Sequence, residues 1–299
     1  MMKERMLYTP VAVERAGFDI GFDDKVMLVG SCFTENMGKK MEDLGFCVNI
    51  NPYGILYNPL SLADAMTRCM DNVKIGEEDL VCRDGLWHSW HHHGSFSRRE
   101  KSDCLDVCNA STEKANRFLA ECNTLIVTMG SAWLYRIEGN AFGEQNNGMA
   151  VGNCHKVPAS SFRKTIASVE EIVEAWKPLC KRLIESGKRL VFTVSPVRHN
   201  AYGAHGNALG KAILLVAIDK LVNELSCDAA RIAYFPSYEI VMDELRDYRF
   251  YADDMLHPSS LAEEIVWQRF QQTYMSKETM ERCDEEEKRL RRMSHRALH

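Results

Sequence analysis

At 299 residues and 45% hydrophobic content the chain can bury one large core or two modest ones, and it is neither fibrous nor disordered. A formal net charge of −5 and a pI near 6.1 leave no footprint for nucleic acid or an anionic membrane, so a small-molecule or glycan partner is expected. Eleven cysteines without scaffold-like spacing, an N-terminus with no apolar leader and no long apolar run point to a reducing cytoplasm and no membrane span.

Residues 1–24 read as an arm packed on the domain. The run Val26-Met27-Leu28-Val29 suits a strand buried on both faces and stops at Gly30. Phe33, Met37, Met41 and Leu44 then recur at helical spacing, which puts Ser31 and Cys32 in the turn between a strand end and a helix N-terminus. An open α/β sheet binds ligands at such a junction, because free helix N–H groups favour negative charge there. A short strand is expected over 46–50, a turn-rich loop over 51–59, and a helix over 61–72 with Ser61 as N-cap and Asp64 as a weak capping-box partner.

Residues 77–104 are polar, aromatic and histidine-rich, and read as an insertion lying near the site. A helix over 111–121 leads to a second buried strand, 124–129, which again stops at a glycine, Gly130. Residues 131–160 lack a long period. The helix carried by Val169, Ile172, Val173, Trp176, Leu179, Cys180 and Leu183 closes at Gly187, and strand 189–194 follows. Leu209, Ala212, Ile213, Val216 and Leu221 mark another helix, 231–235 the last strand, and Pro258 opens a final core helix. Residues 276–299 are charged and read as a solvated helix or tail. Strands alternating with helices predict one α/β domain, a three-layer sandwich around a parallel sheet of about five strands, with loop insertions.

Asp254 and His257 supply an acid and a base just before the last core helix. With a hydroxyl or thiol at the first strand end they make the parts list of an acyl-transfer site. That combination resembles the SGNH, or GDSL-like, hydrolase superfamily. The closer resemblance is to the family named for the motif G-S-C-F-A, which stands here as Gly30-Ser31-Cys32-Phe33-Thr34 and departs at its last position. Further stretches that look like that family are 51–58, 89–97, 129–133, 153–155, 195–199 and 254–259. The resemblance spans roughly residues 20–275.

The resemblance implies an α/β fold of SGNH or flavodoxin type and a hydrolase or acyltransferase of esterase or deacetylase type. No cofactor is expected, and no metal at His88, His91, His92 and His93, since consecutive histidines on an extended segment point to opposite sides. His257 would serve as general base and then acid, with Asp254 orienting it. Setting the motif beside G-D-S places Cys32 at the nucleophile position and Ser31 at the Asp position; Cys32 is preferred and Ser31 stays open. Gly54 and Gly130 match the superfamily's oxyanion glycines. Ala132 stands where its oxyanion asparagine is expected, so Asn153 is the first candidate to replace that donor, with His155 positioning its loop. Trp90 and His93 are expected to line the substrate cleft, and Arg198 and His199 to form a wall of it. Most other cysteines (47, 69, 82, 104, 108, 122, 180, 227 and 283) are expected to be small core residues. A noncatalytic glycan- or metabolite-binding protein on the same scaffold is the alternative. The oligomeric state is open.

Overall fold

The computed structural model describes residues 8–225 and 231–296. β1 (Lys25–Gly30) runs into α1 (Cys32–Asp43), and β2 (Cys47–Ile50) is followed by α2 (Pro59–Asp71). A hairpin of β3 (Leu80–Arg83) and β4 (Leu86–Ser89) leads to α3 (Lys101–Glu121) and β5 (Thr124–Met129). A second antiparallel pair, β6 (Trp133–Ile137) and β7 (Phe162–Ile166), precedes α4 (Val169–Glu185), β8 (Arg189–Val194), α5 (Gly203–Leu225) and β9 (Ile232–Phe235). The one-turn α6 (Ser237–Glu239), α7 (Ser260–Tyr274) and α8 (Lys277–Arg296) complete the chain.

Five strands pair in parallel in the order β2-β1-β5-β8-β9. Their apolar runs are continuous because both faces are covered. Met27, Val29, Leu125, Val127, Leu190 and Phe192 point into a core with α2, α3, α4 and α5, whereas Val26, Leu28, Ile126 and Val191 point into one with α1, α7 and the arm. Each such side chain contributes roughly 1.5–3 kcal/mol by leaving water, so a charge in any of these strands would be opposed from either face. The strand order reverses between β1 and β5, and that crevice at the carboxyl ends is where this topology leaves room for a ligand.

Several elements differ from expectation for identifiable reasons. α2 starts two residues early because Asn58, not Ser61, is its cap; the Asn58 side chain accepts the Ser61 N–H at 2.8 Å, a contact worth about 1 kcal/mol. α3 starts inside the expected insertion, at Lys101. The rest of that insertion and the stretch after β5 build a small core of their own from Val81, Trp90, Ile137, Val151, Val157 and Phe162. α8 is a packed helix, since Cys283 is buried and Met280 and Leu290 lie on the α1–α7 core. Cys69, Cys104, Cys108, Cys122, Cys180 and Cys283 are buried as expected, but Cys47 and Cys82 are exposed, and Cys227 lies outside the described residues. None of the helices among the described residues is long and apolar enough to cross a membrane.

Candidate active site

The turn after β1 is held by the loop after β2. Gly30 has φ +144°, and a Cβ there would lie 2.2 Å from the Thr128 carbonyl oxygen, so only glycine fits. Its N–H donates to Asn51 Oδ1 at 2.8 Å, and its carbonyl accepts from Leu56 N–H at 3.1 Å. Asn51 itself takes a left-handed conformation, φ 44°, which asparagine tolerates better than most residues. Ser31 is the extended N-cap residue of α1; it is 1% exposed and its hydroxyl has no hydrogen-bond partner. Cys32, the first helical residue, is half-buried and reaches the surface. Burial pushes the Cys32 thiol up, while the N–H groups of Phe33 and Cys32 favour the anion, and Glu35 and Glu263 oppose it.

The loop before α7 carries Asp254 and His257. Asp254 Oδ1 accepts the N–H groups of Leu256 and His257 at 2.9 and 3.0 Å, and Oδ2 lies 2.6 Å from His257 Nδ1. Those backbone donors, with the imidazole adding to them, hold the Asp254 carboxyl down to about 2. An ionised Asp254 fixes the tautomer with the proton on Nδ1 and leaves the lone pair on Nε2. Both side chains stay nearly half exposed, so nothing blocks a ligand from reaching them. Glu263, from the first turn of α7, lies within electrostatic reach of both Cys32 and His257.

The floor and one wall come from the ends of β5 and β8. Lys211 of α5 is buried and donates from Nζ to the carbonyls of Gly130 at 2.7 Å and Ser195 at 2.6 Å. Tyr57 lies within electrostatic reach of Cys32, and its ring is 6.5 Å from that of His199. His199 leads at 4.9 Å to Tyr202, which stacks on Trp133 at 4.5 Å, so a row of rings extends away from the nucleophile turn. Arg198 turns the other way, over Tyr251 and Tyr248, and its N–H donates to the Leu256 carbonyl, tying this loop to the one carrying His257.

Other expected site residues are placed differently. Gly54 N–H donates to the Asn51 carbonyl at 2.7 Å and Gly130 N–H to the Tyr57 carbonyl at 2.8 Å, so neither glycine offers a free oxyanion donor. The unengaged amide near the turn is Asn51 Nδ2, which is buried without a partner. Asn153 Oδ1 accepts the His155 N–H at 2.8 Å, within its own loop. His155 is buried, donates from Nε2 to the Ser89 carbonyl and stacks on His88, and burial lowers it to about 4. Trp90 is fully buried against Phe142 and Phe162 and lines no cleft. His93 caps the turn Gly94–Phe96 and packs against Gly54.

The histidine-rich segment is therefore chiefly a structural knot. His92 is enclosed by Tyr53 and Phe96, and burial lowers it to about 3. His91 is buried between Asp64 Oδ2 at 2.7 Å and Asp79 Oδ1 at 3.3 Å, which outweigh its desolvation and raise it above 6.5, while Asp64 and Asp79 are lowered. A raised imidazole stabilises the fold below its unfolded pKa and loses that contribution as pH rises through the folded one. Lowered carboxylates do the reverse, losing theirs as pH falls. The stability difference between wild type and His91→Ala, measured by urea unfolding, is expected to be largest from about pH 4 to 6.5 and to shrink on both sides. A difference independent of pH would show that this network carries no charge.

Lys211 was hidden from pattern reading because α5 is apolar on nearly every side. The expected stripe included Leu209 and Val216, which are 43% and 55% exposed, whereas the buried stripe runs through Gly210, Lys211, Leu214, Ala217, Ile218 and Leu221. A lysine one turn from Leu214 and two from Ile218 was the available signal. Asn51 and Tyr57 lie within the family-like stretch 51–58 but are not singled out by it, and Glu263 carries no sequence signature for the site.

The model of the GSCFA family matches residues 25–270. No curated protein matches the chain. Among solved structures, the chain is similar to a protein from Slackia heliotrinireducens described as a candidate SGNH hydrolase, at 13% identity and a TM-score of 0.41, covering 84% of this chain and 98% of that one. It is also similar to a psychrotrophic esterase from Pseudoalteromonas, at 8% identity and 0.37, covering 84% and 96%. A third is a mutant of an acetyl-xylooligosaccharide esterase from Geobacillus, at 9% identity and 0.40, covering 86% and 96%.

Proposed function

We propose that this chain, which belongs to the GSCFA family, is an SGNH-like hydrolase or acyltransferase acting on an acylated glycan or small metabolite through Cys32, His257 and Asp254. The observation that carries this reading is the 2.6 Å contact of His257 Nδ1 with a carboxylate already fixed by two backbone N–H groups, which leaves Nε2 basic and unengaged. Cys32 supplies the attacking atom at the N-terminus of α1, and Ser31 is closed from solvent.

In the reaction, Nε2 takes the thiol proton and sulfur bonds to the acyl carbon. The bond from that carbon to the leaving oxygen then breaks, and the imidazolium returns the proton to the alkoxide. Water, or an acceptor hydroxyl in a transferase, gives its proton to Nε2 and attacks the thioester, releasing the sulfur. The rings of Tyr57 and His199 suit the face of a sugar unit on one side of the scissile bond.

The engaged N–H groups of Gly54 and Gly130 and the alanine at position 132 favour a second reading, a noncatalytic binding protein, since loss of an oxyanion donor costs on the order of a hundred- to a thousandfold in rate. The two separate in a screen of acetylated sugars and p-nitrophenyl acetate, with released acid and deacylated product followed by mass spectrometry. Turnover that stops on iodoacetamide treatment is expected. Binding of an acylated sugar without turnover would sink the hydrolase reading.

A further inference from the structure

Arg198 belongs to the loop that carries His199, but its side chain lines a separate cleft that the mechanism above does not use. That cleft encloses about 400 Å³ between this loop and the chain from α6 to Tyr251, within the size range of small-molecule sites. Tyr238 lines it with its ring 5.7 Å from Lys211 Nζ, which places that part of the cleft near the carboxyl edge of β5 and β8. Tyr251 also lines it, and the Tyr251 backbone pairs with Pro258 while the Ala252 N–H donates to the His257 carbonyl at 2.8 Å. With the Arg198 N–H on the Leu256 carbonyl at 3.0 Å, the cleft is built onto the loop that carries His257.

Its charges are unevenly paired. The Arg198 guanidinium lies 4.4 Å from the centre of the Tyr251 ring and 5.1 Å from that of Tyr248. Desolvation works against its charge, the phenols of Tyr248 and Tyr251 outweigh that, and among the described residues no carboxylate forms an ion pair with it. Arg246 has no ion-pair partner among the described residues either. Two carboxylates line the same cleft, and they differ. Asp247 is taken by Arg249, which donates from its backbone N–H at 2.9 Å and its guanidinium at 2.8 Å. Asp243 has no such partner and lies within electrostatic reach of Tyr238. Two unpaired arginines against one unpaired carboxylate leave room for a single negative charge.

We propose that this cleft binds a sugar acid, its carboxylate on Arg198, its ring face on Tyr248 and its hydroxyls on Asp243. A guanidinium whose face lies on rings presents its N–H groups in the plane, as the fork that matches a carboxylate. Tyr248 is 63% exposed, so ring surface is left for the apolar face of a sugar. An ionised Asp243 accepts from hydroxyl groups and repels a second negative charge, which disfavours a phosphate dianion. Placing the sugar acid within the substrate rests on the reading above, whereas its binding to the cleft does not.

Free glucuronate carries no acyl group, so its binding to the wild-type protein is measured by titration calorimetry without turnover. A Kd on the order of 1 mM is expected, with glucose about tenfold weaker or more. Arg198→Met keeps the backbone N–H that holds Leu256 and is expected to weaken glucuronate about tenfold or more. Tyr248→Ala, at an exposed position, is expected to weaken it about threefold. Glucuronate that binds no better than glucose, or equally well to wild type and Arg198→Met, overturns the proposal. Tighter binding of glucose 6-phosphate than of glucuronate overturns the assignment to a sugar acid. Should Arg198→Met fail to fold, unchanged affinity in Tyr248→Ala overturns the proposal in its place. Failure of the hydrolase reading shows instead as acylated sugars left intact, whatever glucuronate does.

Discussion

Cys32→Ala is expected to lower turnover by about three orders of magnitude or more, because it removes the atom that would form the acyl-enzyme. Ser31→Ala is expected to stay within a few-fold of wild type. The two residues are neighbours in sequence but not in environment: Cys32 opens α1 and reaches the surface, while the Ser31 hydroxyl is enclosed and makes no hydrogen bond. Cys32→Ser keeps a nucleophile in the same place but with a far more basic anion, so residual activity above Cys32→Ala is expected. The comparison is made on initial rates with p-nitrophenyl acetate, alongside labelling of residue 32 by iodoacetamide. Full activity in Cys32→Ala together with loss in Ser31→Ala would make this a serine enzyme with a shifted motif.

His257→Ala is the second large effect, a fall of about a hundred- to ten-thousandfold in kcat. The imidazole is nearly half exposed, and its side chain makes one hydrogen bond, to Asp254, so the substitution leaves no cavity in either core and folding should be unchanged. Asp254→Asn is expected to be less severe at first sight but not mild. Its amide can still accept the N–H groups of Leu256 and His257, yet its NH2 would face Nδ1 and favour the proton on Nε2, the wrong tautomer for a base. Equal p-nitrophenyl acetate rates for wild type and His257→Ala, with circular dichroism confirming the fold, would leave the signal to solvent and exposed thiols and remove the esterase reading.

What the sequence determined by itself is the frame. Strands such as Val26–Val29 and Thr124–Met129 are legible because burial on both faces demands unbroken apolar residues, and a glycine ends each where the backbone must turn under a site. The same local logic put Cys32 at a helix start and Asp254 three residues before His257, since a cap and a tight loop are built from neighbours in the chain. What only the tertiary structure decided is which side chains are open to a ligand. Trp90 and His155 had the residue types of a cleft wall but are packed into the small core of the inserted hairpins, where Phe142, Phe162 and Ser89 surround them. The glycine N–H groups expected for an oxyanion were taken by carbonyls from the loop after β2. Lys211 shows the limit most sharply: α5 is apolar on nearly every side, so its period could not say which face would meet the sheet, and only the packing of Leu214, Ile218 and Leu221 in the core under the sheet turned that lysine inward onto the carbonyls of Gly130 and Ser195.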